Sequence, residues 1–215
     1  EEHAHPHIDE DGQINIVLNG IVENHSELRR ELLADGHEFS SETDAEIVAH
    51  LIERHYDGDL TAAVRGAFAD LRGHYAFVAM HVDHPELLVG ARQECPLVIG
   101  VGEGEAFLAS AIPAFLRETR TVMQIENGEI VTITPDGVEV TDAEGAPRER
   151  EAEALHLHEV RPDADDGRDA GGQCVRQCSA STYTGSVRRS TTPTLPSRSS
   201  SNVASVSVTA STSAE

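Results

Sequence analysis

Two short stretches carry the groups that could do chemistry. The first, Leu18-Asn19-Gly20-Ile21-Val22-Glu23-Asn24, follows an apolar run. Asn19 offers a side-chain amide donor, and Gly20 offers a backbone N–H that no Cβ shields. Two such donors converging on one point make an oxyanion hole, where one donor is worth about 2.7–4 kcal/mol of transition-state stabilisation. The same dipeptide is a common hairpin turn, and spacing alone favours the turn. The second stretch, Ser41-Glu42-Thr43-Asp44-Ala45-Glu46, opens a helix. A carboxylate at Asp44 stabilises a helix start electrostatically or binds a ligand ammonium, and pattern alone does not choose between them.

Other chemistry-bearing residues are discounted on ligand count. His3, His5 and His7 alternate along the chain, so a strand there would point all three to one side. A metal site needs three or four ligands, and no cysteine or well-placed carboxylate completes this one. Hydrogen-bonded or solvated histidines are expected instead, and the same holds for His156 and His158; no metal and no cofactor are expected. The three cysteines, Cys95, Cys174 and Cys178, make no disulfide framework. Cys95 precedes Pro96 and an apolar run, which marks a small half-buried hydrophobe rather than a nucleophile. Cys174 and Cys178 lack partner ligands.

The elements that must position these groups follow from periodicity. Ile14, Ile16 and Leu18 alternate with Asn15 and Val17, predicting a strand that ends at Asn19-Gly20. Asn24 or Ser26 caps a helix that carries Leu28, Leu32 and Leu33 and stops at Gly36. After an extended segment over 37–40, Thr43 and Glu46 form a capping box for a helix with Ile47, Val48, Leu51 and Ile52 on one face. Asp59 caps a third helix that ends by Gly73. Strands are then predicted over 75–82, 86–91, 97–101 and 106–109, followed by a short helix over 110–117. A meander over 122–125, 129–134 and 138–140 turns at Asn127-Gly128 and Pro135-Asp136-Gly137. Helices early and antiparallel strands late indicate an α+β sandwich.

Composition excludes several classes. The 215 residues carry a net charge of −22, and all 16 basic residues are arginine. Such a surface repels phosphate backbones and anionic membranes, so nucleic acid and lipid are poor partners. Its self-repulsion is relieved in concentrated salt, where the screening length falls to roughly 3 Å at 1 M, so a salt-loving source is expected. No apolar run approaches the roughly 20 residues that span a bilayer, and Glu1-Glu2-His3 is no signal peptide, so a cytoplasmic location is expected. From residue 170 to residue 214 there is no acidic side chain, and serine, threonine and arginine dominate. Apolar residues there keep no period, which predicts disorder. The abrupt change of bias is what a reading-frame shift near residues 162–167 would produce.

The string NGIVENHSELRRELLADGHEFSSETDAEIVAHLIE, with HPH, RGHYAFVAMHVDHPELLVGAR and PLVIGVGEGEAFLAS around it, resembles the glutaminase domain of the glutamine:fructose-6-phosphate amidotransferases, a type 2 glutamine amidotransferase family. The match runs from about His3 to about Glu144. The resemblance implies an N-terminal-nucleophile hydrolase fold of four layers, αββα, in a homodimeric protein. A cysteine at the mature N-terminus attacks the glutamine amide and releases ammonia, which passes to a sugar-isomerase domain and converts fructose-6-phosphate to glucosamine-6-phosphate. Asn19 and the Gly20 N–H resemble the oxyanion hole, and Asp44 resembles the group that holds the glutamine α-ammonium.

The given sequence departs from that pattern. It begins at Glu1, without the nucleophilic cysteine, its strand, the arginine loop that grips the glutamine carboxylate, or the isomerase domains. Residues 1–152 are therefore expected to be a partial glutaminase domain, incomplete at the N-terminus and inactive alone, with an uncovered sheet edge; residues 153–215 are expected to be a linker and tail. Three alternatives stand beside this reading: a non-catalytic glutamine-binding or regulatory module, the glutaminase domain of another type 2 amidotransferase, and an acidic interaction domain without a ligand.

Overall fold

The computed structural model describes residues 5–155 and two later strands, Thr182–Arg188 and Ser205–Ser211. Within the chain, period-2 burial builds two sheets. The first is antiparallel in the order β1 (His7–Ile8), β2 (Ile14–Val22), β3 (Gly73–His81), β4 (Leu88–Gln93), β8 (Glu129–Thr134) and β9 (Gly137–Asp142). The second runs β10 (Glu153–Ala154), β7 (Thr121–Gln124), β5 (Val98–Val101), β6 (Glu105–Ala109), β11 (Thr182–Arg188) and β12 (Ser205–Ser211). On one face of the first sheet, Ile14, Ile16, Leu18, Tyr75, Phe77 and Val89 pack against three helices, α1 (His25–Asp35), α2 (Asp44–His55) and α3 (Leu60–Asp70). The alternate residues Val17, Ala76, Val78, Leu88 and Val131 meet Ile99 and Leu108 of the second sheet. The outer face of that sheet, Val98, Phe107, Ala109 and Val122, is covered by Phe115 beside a 3-10 turn at Ile112–Ala114. This is the expected α+β sandwich, with the fourth layer represented among the described residues by that turn.

Helix α2 is the pivot of the helical layer. All residues from Ala45 to Ile52 are buried, not only the predicted stripe of Ile47, Val48, Leu51 and Ile52. The additional buried positions include the polar Glu46 and His50, which face the segment around Ser40 and Phe39. Gly36 ends α1 in the left-handed conformation, φ 104°, and Asp59 caps α3 by accepting from the Ala62 N–H at 3.1 Å. Asn24 precedes α1 but spends its side chain elsewhere, donating to the Asp70 carbonyl and accepting from the Arg72 N–H, both at 2.9 Å. It therefore ties the start of α1 to the α3–β3 junction instead of capping the helix.

Several boundaries differ from the sequence expectation. Strand β2 does not end at Asn19-Gly20 but stays paired with β3 through Val22. The predicted helix over 110–117 shrinks to the 3-10 turn at Ile112–Ala114, flanked by extended Ala111, with Pro113 in the first turn, where its missing N–H leaves no ladder bond unmade. The expected three-strand meander is divided between sheets: β8 and β9 form a hairpin in the first, whereas β7 pairs with β5 in the second. In the tail, residues 182–188 and 205–211 pair with each other, and the first pairs with β6, so the expected disorder does not extend to these two segments. Without Thr182–Arg188, β6 would be an edge strand with unpaired backbone groups, and threonine- and valine-containing segments suit pairing there. His3, His156, His158, Cys174, Cys178 and the proposed frame junction at 162–167 lie outside the described residues. Among those described, no helix is long and apolar enough to cross a membrane.

Candidate functional site

The free edge of β2 is where the candidate residues meet. Short β1 pairs only with Asn15 and Ile16, which leaves the edge from Val17 onward without a strand neighbour among the described residues. Ile14 donates its N–H to Asp9 Oδ1 at 3.0 Å, and Val22 donates its N–H to Asp44 Oδ2 at 2.9 Å. Both bonds leave the strand on the side away from β3. Donors alternate along an antiparallel ladder, so the Gly20 N–H, two residues before Val22, faces the same edge. From Gly20 to Val22 the strand rises roughly 7 Å, comparable with the reach of a five-carbon amino acid.

Gly20 could not be another residue here. Its φ is 111°, and an added Cβ would lie 2.0 Å from the His74 carbonyl oxygen and 2.8 Å from Cys95 Sγ. The Asn19-Gly20 pair is therefore not a hairpin turn. It lies within a continuous strand, where the missing side chain lets β3 and Cys95 approach closely. Asn19, opposite Ala76, is half-buried on the pleat face shared with Val17, which turns toward the second sheet. Cys95 is 6 % exposed and belongs to the inter-sheet core, as a small hydrophobe should. It arrives beneath Gly20 because Glu94 adopts a left-handed turn, φ 64°, held by reciprocal hydrogen bonds with Asn127 at 3.0 Å.

Asp44 is positioned by its helix. Thr43 caps α2, accepting from the Glu46 N–H at 3.3 Å, and Asp44 then occupies the first turn with its carboxylate against β2. The predicted capping box is only half formed. The Glu46 carboxylate accepts from the backbone and hydroxyl groups of Ser40 and Ser41 instead of returning to Thr43. Burial alone would raise the Glu46 carboxyl, but the hydrogen bonds from Ser41 and Ser40 outweigh it and hold the group below its ordinary value. The clamp thus fixes the segment that leads into Asp44.

Two histidines complete the rim. His7 Nδ1 lies 3.2 Å from the Thr43 hydroxyl, and the His5 and His7 rings meet edge to face at 4.7 Å. The His5 imidazole is pushed down to about 4 by burial and by His7, with Asp44 opposing the shift. It is neutral at pH 7, so Asp44 is not neutralised by a cation at that position. The sequence marked these histidines only for their spacing. Their place beside Asp44 depends on β1 folding back along β2, which no local pattern announces.

The structure thus brings Gly20 and Asp44 to one strand edge, with Asn19 adjacent to Gly20 in the same strand. A cleft of about 220 Å³ lined by Pro6, Asn15, Ile16, Val17, Val78 and Met80 lies against the first half of β2 and is lined by none of these three residues. A wider groove of about 400 Å³, between Val101–Ala106 and Thr134–Val138, contains none of the candidate residues.

The same stretch of chain has relatives among known proteins. Residues 1–117 match the family model described as a glutamine amidotransferase domain. Glutamine–fructose-6-phosphate aminotransferase (isomerizing) of Thermus thermophilus is 53% identical over 152 residues, which are 71% of this chain and 25% of that protein. The enzymes of the same name from Aquifex aeolicus and Methanothermobacter thermautotrophicus are 47% and 48% identical, over 70% and 72% of this chain and 26% of each relative. The chain thus spans about a quarter of the length of these relatives. Among solved structures, glutamine phosphoribosylpyrophosphate amidotransferase from B. subtilis, complexed with ADP and GMP, is similar with a TM-score of 0.56 at 25% identity, covering 66% of this chain and 32% of that one.

Proposed function

This chain belongs to the glutamine amidotransferase domain family, and on that premise we propose that it is the glutaminase part of a glutamine:fructose-6-phosphate aminotransferase, with residues 1–152 as the domain. The observation that carries the reading is the Asp44 carboxylate held against the Val22 N–H at 2.9 Å, two positions along the edge that the Gly20 N–H faces. Glutamine lies along that edge, with its α-ammonium on Asp44 and its side-chain carbonyl at Asn19 and Gly20. A thiolate adds to the amide carbon, and the carbonyl oxygen becomes an oxyanion that the two donors stabilise. The amide nitrogen takes up the proton that the α-amine of the terminal cysteine accepted from the thiol, and ammonia leaves as the tetrahedral carbon collapses to a thioester. Water then attacks the thioester to release glutamate and restore the thiol.

The attacking thiol is not supplied by the cysteine beside the site. Cys95 is internal and packed in the core, whereas the mechanism implied by the family uses a terminal cysteine whose α-amine takes the proton. Cys95 therefore takes no part in the covalent step, and the chemistry above is proposed for the whole protein to which these residues belong.

Calorimetry with the 215-residue chain tests the binding half of this proposal. Asp44→Asn keeps an oxygen for the Val22 N–H but loses the charge, so glutamine affinity should fall about 30-fold, the equivalent of about 2 kcal/mol. Unchanged affinity would remove Asp44 from the site. Ammonia release from glutamine that is abolished by Cys95→Ala would overturn the exclusion of Cys95 from the covalent step.

A further inference from the structure

Away from the β2 edge, two imidazoles and a carboxylate converge where α2 passes the segment after α1. His50 and Glu53 stand one turn apart on α2, and His37 follows the glycine that ends α1. Glu53 Oε2 lies 3.2 Å from both His37 Nδ1 and His50 Nδ1, and one donor atom from each of the three residues lies within 4.8 Å of the others. Ligands at about 2.0–2.1 Å around a tetrahedral ion are separated by about 3.3 Å, so both N···O spacings already suit coordination. The His50 side chain is 1% exposed, whereas those of His37 and Glu53 are 15% and 27% exposed, which leaves a route from solvent.

A second, independent observation concerns the other nitrogen of His50. Its Nε2 is buried without a hydrogen-bond partner, 3.9 Å from Glu46 Oε1. If neutral His50 donates from Nδ1 to Glu53, Nε2 is a buried acceptor that no donor meets. If it carries its proton on Nε2, the Nδ1 lone pair faces a carboxylate oxygen. A cation on Nδ1 removes the repulsion between its lone pair and the Glu53 oxygen. The lone pair then binds the ion, and the Nε2 proton faces the Glu46 carboxylate 3.9 Å away, beyond hydrogen-bond reach but with favourable charge, on the side where a carboxylate orients metal-bound imidazoles. We propose that His37, His50 and Glu53 form a binding site for a divalent zinc-type ion, with the fourth position open to water. The site is independent of glutamine chemistry, since none of the three residues lines the β2 edge.

The test is titration of the full 215-residue chain with Co²⁺, followed by visible absorption, and with Zn²⁺, followed by calorimetry and thermal unfolding. One equivalent should bind with a tetrahedral Co²⁺ spectrum, and Zn²⁺ should raise the unfolding temperature. His37→Ala and Glu53→Gln alter partly exposed side chains, so both should keep their circular dichroism while losing at least about tenfold in affinity and the Zn²⁺-induced shift. His5→Ala should retain both. Absence of 1:1 binding by the unaltered chain, or unchanged affinity in the two site variants, would overturn the proposal.

Discussion

At the scale of single residues, Gly20 is the most constrained position in the candidate site. Its left-handed φ costs any L-residue roughly 1–2 kcal/mol, and the contact with the His74 carbonyl adds an overpacking cost of about 1–3 kcal/mol. Gly36 supplies a control, since its φ of 104° is similar but nothing lies within 4 Å of where its Cβ would be. Thermal unfolding should show Gly20→Ala destabilised by roughly 2–5 kcal/mol and Gly36→Ala by only about 1–2 kcal/mol. Equal losses at the two sites would mean that β3 yields to the methyl group and that the close approach is unimportant. A turn and a crowded strand both ask for glycine, which is why Asn19-Gly20 could not be assigned from spacing.

At the scale of elements, α2 is held at its head by the Glu46 clamp. A carboxyl lowered in the folded state stabilises the fold above its unfolded value of about 4.5, and that contribution is lost as pH falls through the lower folded value. Glu46→Gln replaces an acceptor of four hydrogen bonds with a group that also donates, so stability at pH 7 should drop on the order of 2–3 kcal/mol. The gap between the variant and the unaltered chain should narrow as pH falls below 4.5. A pH-independent gap, measured by denaturant unfolding, would show that packing rather than charge holds the clamp. Glutamine affinity should fall with stability in this variant, because the clamp leads directly into Thr43 and Asp44.

At the scale of the whole molecule, the net charge of −22 sets the response to salt. Repulsion among exposed carboxylates weakens the compact state, and raising ionic strength from about 0.1 M to 1 M shortens the screening length from roughly 10 Å to 3 Å. Thermal unfolding followed by circular dichroism should therefore shift upward across that range. A melting temperature indifferent to salt would show that the charges are locally compensated and would remove the argument for a salt-loving source.

The helical layer and most strands were legible from residues alone, because period and cap chemistry are local properties. Gly36 and Asp59 act as their types predict, and Glu129–Thr134 forms over the predicted residues. The resemblance singled out Asn19, Gly20 and Asp44, which periodicity had left ambiguous. What only the tertiary structure decided was which groups become neighbours: the Val22 N–H with Asp44 across 22 positions, His7 with Thr43 across 36, and Cys95 beneath Gly20. It also decided that β7 leaves its hairpin neighbours for the second sheet. Such contacts are set by how strands choose partners and how a helix end meets a sheet edge. A local pattern records that each group is suited to its own element, and it holds no information about the groups that element will meet.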